Sequence, residues 1–140
     1  MISRGLFLIV MSAAVVGCSS SAPPLPAVVP VQGKILLASG EPLRGGRLIF
    51  SPKESLGGIE PFADVDKDGS FTVTTYQLND GCVPGQYVVS VTPYAFKSGT
   101  PVKLPIAQQI PSRYLSSEKS DLVVEITPDN SAITLKLKDR

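Results

Sequence analysis

Two cysteines, one aspartate-rich turn and a complete lack of histidine set the chemistry open to this 140-residue chain. Without His there is no imidazole base and no His ligand for zinc. Cys82, in Asn79-Asp80-Gly81-Cys82-Val83-Pro84-Gly85, therefore lacks the partner that activates a cysteine nucleophile. It is expected as an unpaired, partly buried small residue ahead of a strand, with an intermolecular disulfide as the alternative. Asp64-Val65-Asp66-Lys67-Asp68-Gly69 copies the D-x-D-x-D-G opening of a calcium loop. Such a loop needs a bidentate Glu at its twelfth position, which here is Thr75, and it needs flanking helices where these flanks alternate as strands do. A solvated hairpin turn explains the same residues, with a weak calcium site at the turn as the alternative, and neither a metal nor a cofactor is expected. Asp64, Asp66, Asp68 and Glu60 are also the densest acidic group, the place where a carboxylate hydrolase would be built. Their turn-like spacing argues for exposure rather than a deep cleft of raised pKa, and no catalytic residue is assigned.

A second set of residues suits contact rather than catalysis. Tyr76, Tyr94, Phe96 and Tyr114 fall beside loops, where aromatic side chains can receive a sugar or a peptide. Residues 93–121 form the longest stretch without an obvious long element, and such stretches are usually functional or mobile. This segment carries Tyr94, Phe96, Lys97, Lys103, Arg113 and Tyr114, and four prolines that limit the entropy lost on ordering it. Tyr94, Phe96, Lys103, Arg113 and Tyr114 are accordingly the candidate binding surface. In the plainer alternative, Ile106, Ile110 and Tyr114 close one end of the core. The net charge is +1, and Arg4 is the sole charged residue ahead of Cys18, so the rest of the chain is neutral overall. That balance gives no reason to expect nucleic acid as a partner.

The elements that must position these residues read as β. With 13 Pro and 12 Gly, many short segments fit better than a few long helices. Val31, Gly33, Ile35 and Leu37 alternate with polar Gln32 and Lys34. Arg47 to Phe50 begins a second strand that Pro52 ends. Phe62 to Val65 and Ser70 to Tyr76 flank the Asp66-Lys67-Asp68-Gly69 turn. Gln86 to Thr92 is β-branched and bounded by Gly85 and Pro93. Leu122 to Thr127 and Ala132 to Leu137 are expected to pair through a Pro128-Asp129-Asn130 turn. About seven short strands with punctuating turns predict an all-β sandwich. A short edge strand or a helical turn near residues 106–109 would fit inside the long segment.

Ahead of this domain, residues 6–16 (LFLIVMSAAVV) form an apolar run after the single charge of Arg4. Eleven residues fall short of the about 20 needed to span a bilayer, and match the core of a secretory signal. Val15-Val16-Gly17-Cys18 resembles the bacterial lipobox, with Val15 where Leu is usual. The resemblance implies a diacylglyceryl group on the Cys18 thiol, cleavage between Gly17 and Cys18, and acylation of the freed amine. Two or more acyl chains give stable anchoring. The uncharged stretch 19–30 (SSSAPPLPAVVP) cannot bury a core and suits an extended tether. Ser19 is not the Asp that marks inner-membrane retention in some bacteria, which favours the outer membrane by analogy.

Three blocks in order resemble the carboxypeptidase regulatory-like domain, a transthyretin-like β-sandwich. They are Val31-Gln32-Gly33-Lys34-Ile35 with Gly40-Glu41-Pro42-Leu43 and Gly45-Gly46-Arg47-Leu48; Asp66-Lys67-Asp68-Gly69-Ser70-Phe71; and Val83-Pro84-Gly85-Gln86-Tyr87. Ile110-Pro111-Ser112-Arg113-Tyr114, Ser120-Asp121-Leu122 and the closing Ala132-Ile133-Thr134-Leu135-Lys136-Leu137 are similar to small bacterial lipoproteins that carry this domain. The resemblance implies a fold and an accessory role, since the zinc-bearing catalytic domain of carboxypeptidases has no His here to build it. The expected organisation is a signal peptide over 1–17, a lipidated Cys18 with its tether over 18–30, and a sandwich over 31–140. The expected function is that of a non-enzymatic structural or binding module of the cell envelope, held to a membrane by lipid, with an envelope protein or a glycan as partner. A carbohydrate-binding module is the alternative, and a hydrolase ranks behind both.

Overall fold

The computed structural model describes residues 17–18, 21–55, 58–97 and 99–139. The apolar run expected as a signal peptide lies outside the described residues, apart from its boundary at Gly17 and Cys18.

The domain is an all-β sandwich. One sheet has three strands, β1 (Gln32–Leu36) between β4 (Ser70–Thr72) and β9 (Ala132–Lys136). In it β1 runs antiparallel to β4 and parallel to β9. The other sheet is antiparallel throughout, in the order β3 (Phe62–Asp64), β2 (Arg47–Pro52), β5 (Gly85–Thr92), β8 (Val123–Ile126). A separate ribbon of β6 (Tyr94–Lys97) and β7 (Thr100–Lys103) belongs to neither sheet. Two 3-10 turns, Pro105–Gln109 and Ser112–Leu115, follow it.

Alternation along the strands builds the core. Ile35, Phe71, Ile133 and Leu135 point inward from the three-stranded sheet, and Leu48, Phe50, Tyr87, Val89, Val91 and Ile126 face them from the other. Phe50 is the hinge of this packing. Its ring centroid lies 6.2 Å from those of both Phe71 and Tyr87, edge-on to the latter. Such pairs contribute about 0.5–1.5 kcal/mol each beyond the area they bury. Gly33 is required where β1 crosses Phe71, because a Cβ there would overlap the Ile133 carbonyl oxygen and press on the Phe71 ring.

Three expectations are corrected and one is met. The described residues form nine strands rather than about seven, because residues 93–121 contain the β6–β7 ribbon. The expected pairing of the last two strands does not occur: β8 pairs with β5, and β9 crosses to lie parallel to β1. A tight turn with a bridge between Thr127 and Asn130 joins them. Turn chemistry marks a reversal of direction but does not say whether the chain returns to the same sheet or arches to the other. Thirdly, β4 stops at Thr72, because the chain beyond Thr74 is drawn into a loop around Asp80. Finally, the helical turn near 106–109 is present, and Ile106, Ile110 and Tyr114 all lie inside the core.

Candidate functional site

The two ends of the sandwich differ. Val29, ahead of β1, forms an antiparallel bridge with Cys82, ahead of β5. The Val29 amide donates to the Cys82 carbonyl at 2.9 Å, and the Cys82 amide donates back at 3.1 Å. Both β1 and β5 therefore start at this pole. Gly81 makes the contact feasible: its φ is +94°, and a Cβ would overlap the Val29 carbonyl. Residues 21–27 before this bridge are exposed, Leu25 included, and Cys18 is exposed as well.

The loop beside the bridge is held by one carboxylate that sequence reasoning passed over. Asp80 accepts the backbone N–H groups of Thr75 at 2.7 Å, Tyr76 at 3.0 Å and Gln77 at 2.9 Å. The Thr75 hydroxyl donates to the Gly81 carbonyl at 2.6 Å, and the Asn79 amide, at φ +61°, donates to the Thr74 hydroxyl at 2.9 Å. Partial burial on its own would raise the Asp80 pKa, but the three backbone donors outweigh it and hold the carboxyl below its ordinary value. The run Asn79-Asp80-Gly81, three residue types that favour turns, was the available signal. Next to it Cys82 is fully buried and unpaired. Burial pushes its thiol up to about 11, with a smaller opposing pull from the Tyr87 hydroxyl. The Tyr87 hydroxyl itself donates to the Val83 carbonyl at 2.6 Å, a tyrosine corner that fixes the turn into β5.

At the far end of β5 the ribbon begins. Tyr94 and Lys103 are register partners, so their side chains share one face of the ribbon. The Leu104 amide donates to the Pro93 carbonyl at 2.9 Å and closes its base. Under that face is a hollow of about 240 Å³, lined by Val91, Thr92, Pro93, Tyr94, Lys103, Ala107 and Leu115. Tyr94 and Leu115 expose 37% and 47% of their surface, so apolar area faces solvent. Leu115 was missed from sequence. Its neighbour Tyr114 is buried, and in a tight 3-10 turn that directs Leu115 outward.

Two other members of the candidate surface, Arg113 and Tyr114, lie elsewhere. Phe96 is described through its backbone pairing with Pro101. Tyr114 is fully buried and leaves the candidate surface; its hydroxyl accepts the Lys138 amide at 2.9 Å. Arg113 stacks on the Tyr114 ring, 4.7 Å from its centroid, and donates to the Lys138 and Asp139 carbonyls at 2.7 and 3.0 Å. The same guanidinium lies 3.8 Å from Asp121. Arg113 and Tyr114 thus clamp the chain after β9 and are absent from the hollow, which corrects the expectation that all five residues share one surface.

The acidic turn is engaged in folding. Asp64 makes a two-pronged ion pair with Arg47, at 2.7 and 3.0 Å, across β3 and β2. Asp68 accepts the Ser70 amide at 3.0 Å and the Ser70 hydroxyl, and both lower its pKa. Among the described residues no cluster of three or more acidic or Cys side chains is arranged to hold a metal ion.

No family model matches the chain, and no curated protein matches it. Among solved structures, the major pilin subunit of Bacillus cereus is similar at 16% identity with a TM-score of 0.45. The match covers 81% of this chain and 30% of the pilin, so the chain spans less than a third of that protein. The assignment of a β-sandwich rests on the strand order and core given above.

Proposed function

We propose that this chain is a non-enzymatic lipoprotein of the cell envelope that presents the β6–β7 ribbon at the pole turned away from its membrane. The observation that carries this reading is the contrast between its two cysteines. Cys82 is sealed in the core, whereas Cys18 is exposed ahead of an uncharged stretch whose residues 21–27 are exposed. That stretch meets the domain at the Val29–Cys82 bridge, and the ribbon begins at the other end of β5, eight residues and about 23 Å away. The resemblance to the carboxypeptidase regulatory-like domain is part of the same reading. Its Gly33, its Asp66-to-Gly69 turn and its Pro84-Gly85 entrance to Tyr87 all do structural work here.

Replacing Cys18 tests the anchor. Wild-type protein expressed in a bacterial host is expected in the membrane fraction, with an N-terminal peptide heavier by its acyl groups. Cys18→Ser protein is expected as an unprocessed precursor or as soluble material. If Cys18→Ser is still cleaved after Gly17 and stays membrane-bound, the reading is wrong.

A further inference from the structure

The hollow beneath the ribbon is small, one-sided in charge and open. We infer that it receives an extended peptide segment of a partner protein, which places one apolar side chain in the hollow and a neighbouring carboxylate on Lys103. This rests on the reading of the ribbon pole as the presented surface, and adds the chemistry of what is presented to it.

Size comes first. Pockets for small ligands run to about 300–1,000 Å³, and about 240 Å³ holds one leucine- or phenylalanine-sized group rather than a whole small molecule. Lining chemistry comes second. Val91, Pro93, Ala107 and Leu115 supply apolar walls, and Tyr94 adds an aromatic ring with a hydroxyl. Among the described lining residues Lys103 alone is charged, so the hollow complements an acidic group beside an apolar one. A neutral glycan offers Lys103 no opposite charge, whereas a peptide with a carboxylate does. The backbone comes third. Among the described residues β6 and β7 pair with each other and with no further strand, so each keeps one edge to which an extended chain can add.

The test uses the full chain in detergent micelles, with ¹⁵N chemical shifts followed during titration. The probe is a blocked peptide, acetyl-Thr-Val-Leu-Glu-Thr-amide, compared with its Gln analogue and with a cello-oligosaccharide. At millimolar peptide, shifts are expected at Thr92, Tyr94, Lys103, Ala107 and Leu115. The Glu peptide should bind about threefold tighter than the Gln peptide at low salt, a gain the size of one exposed ion pair. Lys103→Gln should abolish that preference and Lys103→Arg should keep it. Leu115→Asp, at an exposed position that spares the fold, should weaken the Gln peptide about tenfold and the Glu peptide further, because the new carboxylate also repels its Glu. Equal binding of the two peptides, indifference to Leu115→Asp, shifts confined to other surfaces, or occupation of the hollow by the oligosaccharide instead would each overturn the inference. None of these readouts depends on lipid at Cys18, so failure here is distinct from failure of the anchor.

Discussion

Among single residues, Asp80 has the largest structural role of any that sequence reasoning passed over. Three backbone N–H groups converge on its carboxylate, and removing it leaves them without a fixed partner. Asp80→Ala should cost about 2 kcal/mol, which for a domain of this size lowers the melting temperature by roughly 8 °C. The effect has a definite pH sign. The folded pKa lies below the ordinary 3.8, so the stabilisation is fully present above pH 3.8 and is lost as pH falls through the folded value. The gap between wild type and Asp80→Ala, measured by thermal melts, should be widest at neutral pH and close in acid. A gap that stays constant down to pH 2 would show that the carboxylate's charge is irrelevant. Cys82 yields a second prediction at this scale. A thiol that is fully buried, with its pKa pushed up to about 11, presents almost no thiolate at pH 8. Native protein should resist iodoacetamide at Cys82 and react promptly in urea, as peptide mass would report.

The elements were legible where the local pattern decides the outcome. The alternation in β1, the Asp66–Gly69 hairpin and the Pro-Gly-x-Tyr entrance to β5 all stand where the sequence places them, because each is set by residues within one turn of one another. Elements that depend on distant partners were not legible. Nothing local in Pro128-Asp129-Asn130 distinguishes a hairpin from an arch between sheets, so the parallel pairing of β9 with β1 is invisible until both sheets exist. The candidate surface divides along the same line. Tyr94 and Lys103 meet because they pair directly across a ribbon. Arg113 and Tyr114 look equally available in sequence, but the core draws in the Tyr114 ring and the chain after β9 takes the arginine. This division of residues 93–121 predicts unequal tolerance. Excising residues 95–102 and joining Tyr94 to Lys103 through two glycines should shift the melting temperature by no more than a few degrees, since the ribbon belongs to neither sheet and shortening a loop changes stability weakly. Ile106→Ala, in the same connection but buried, should cost about 2–4 kcal/mol. A collapse of folding after the excision would show that the ribbon is structural.

On the scale of the whole molecule, the proposal turns on polarity: the exposed stretch proposed as a tether meets the sandwich at the Val29–Cys82 bridge, and the ribbon begins at the other end of β5. The native cysteines make this directly measurable, because Cys82 is sealed and lipid on Cys18 would block the remaining thiol, so one introduced cysteine carries one label. Full-length acylated protein would be reconstituted in vesicles whose headgroups carry an energy-transfer acceptor. The donor dye is attached in turn to Asp129→Cys, beside the turn between β8 and β9 at the tether pole, and to Val102→Cys on the ribbon; both native positions are exposed. The account predicts strong transfer from position 129 and clearly weaker transfer from position 102. Equal transfer from the two, or stronger transfer from position 102, would contradict it.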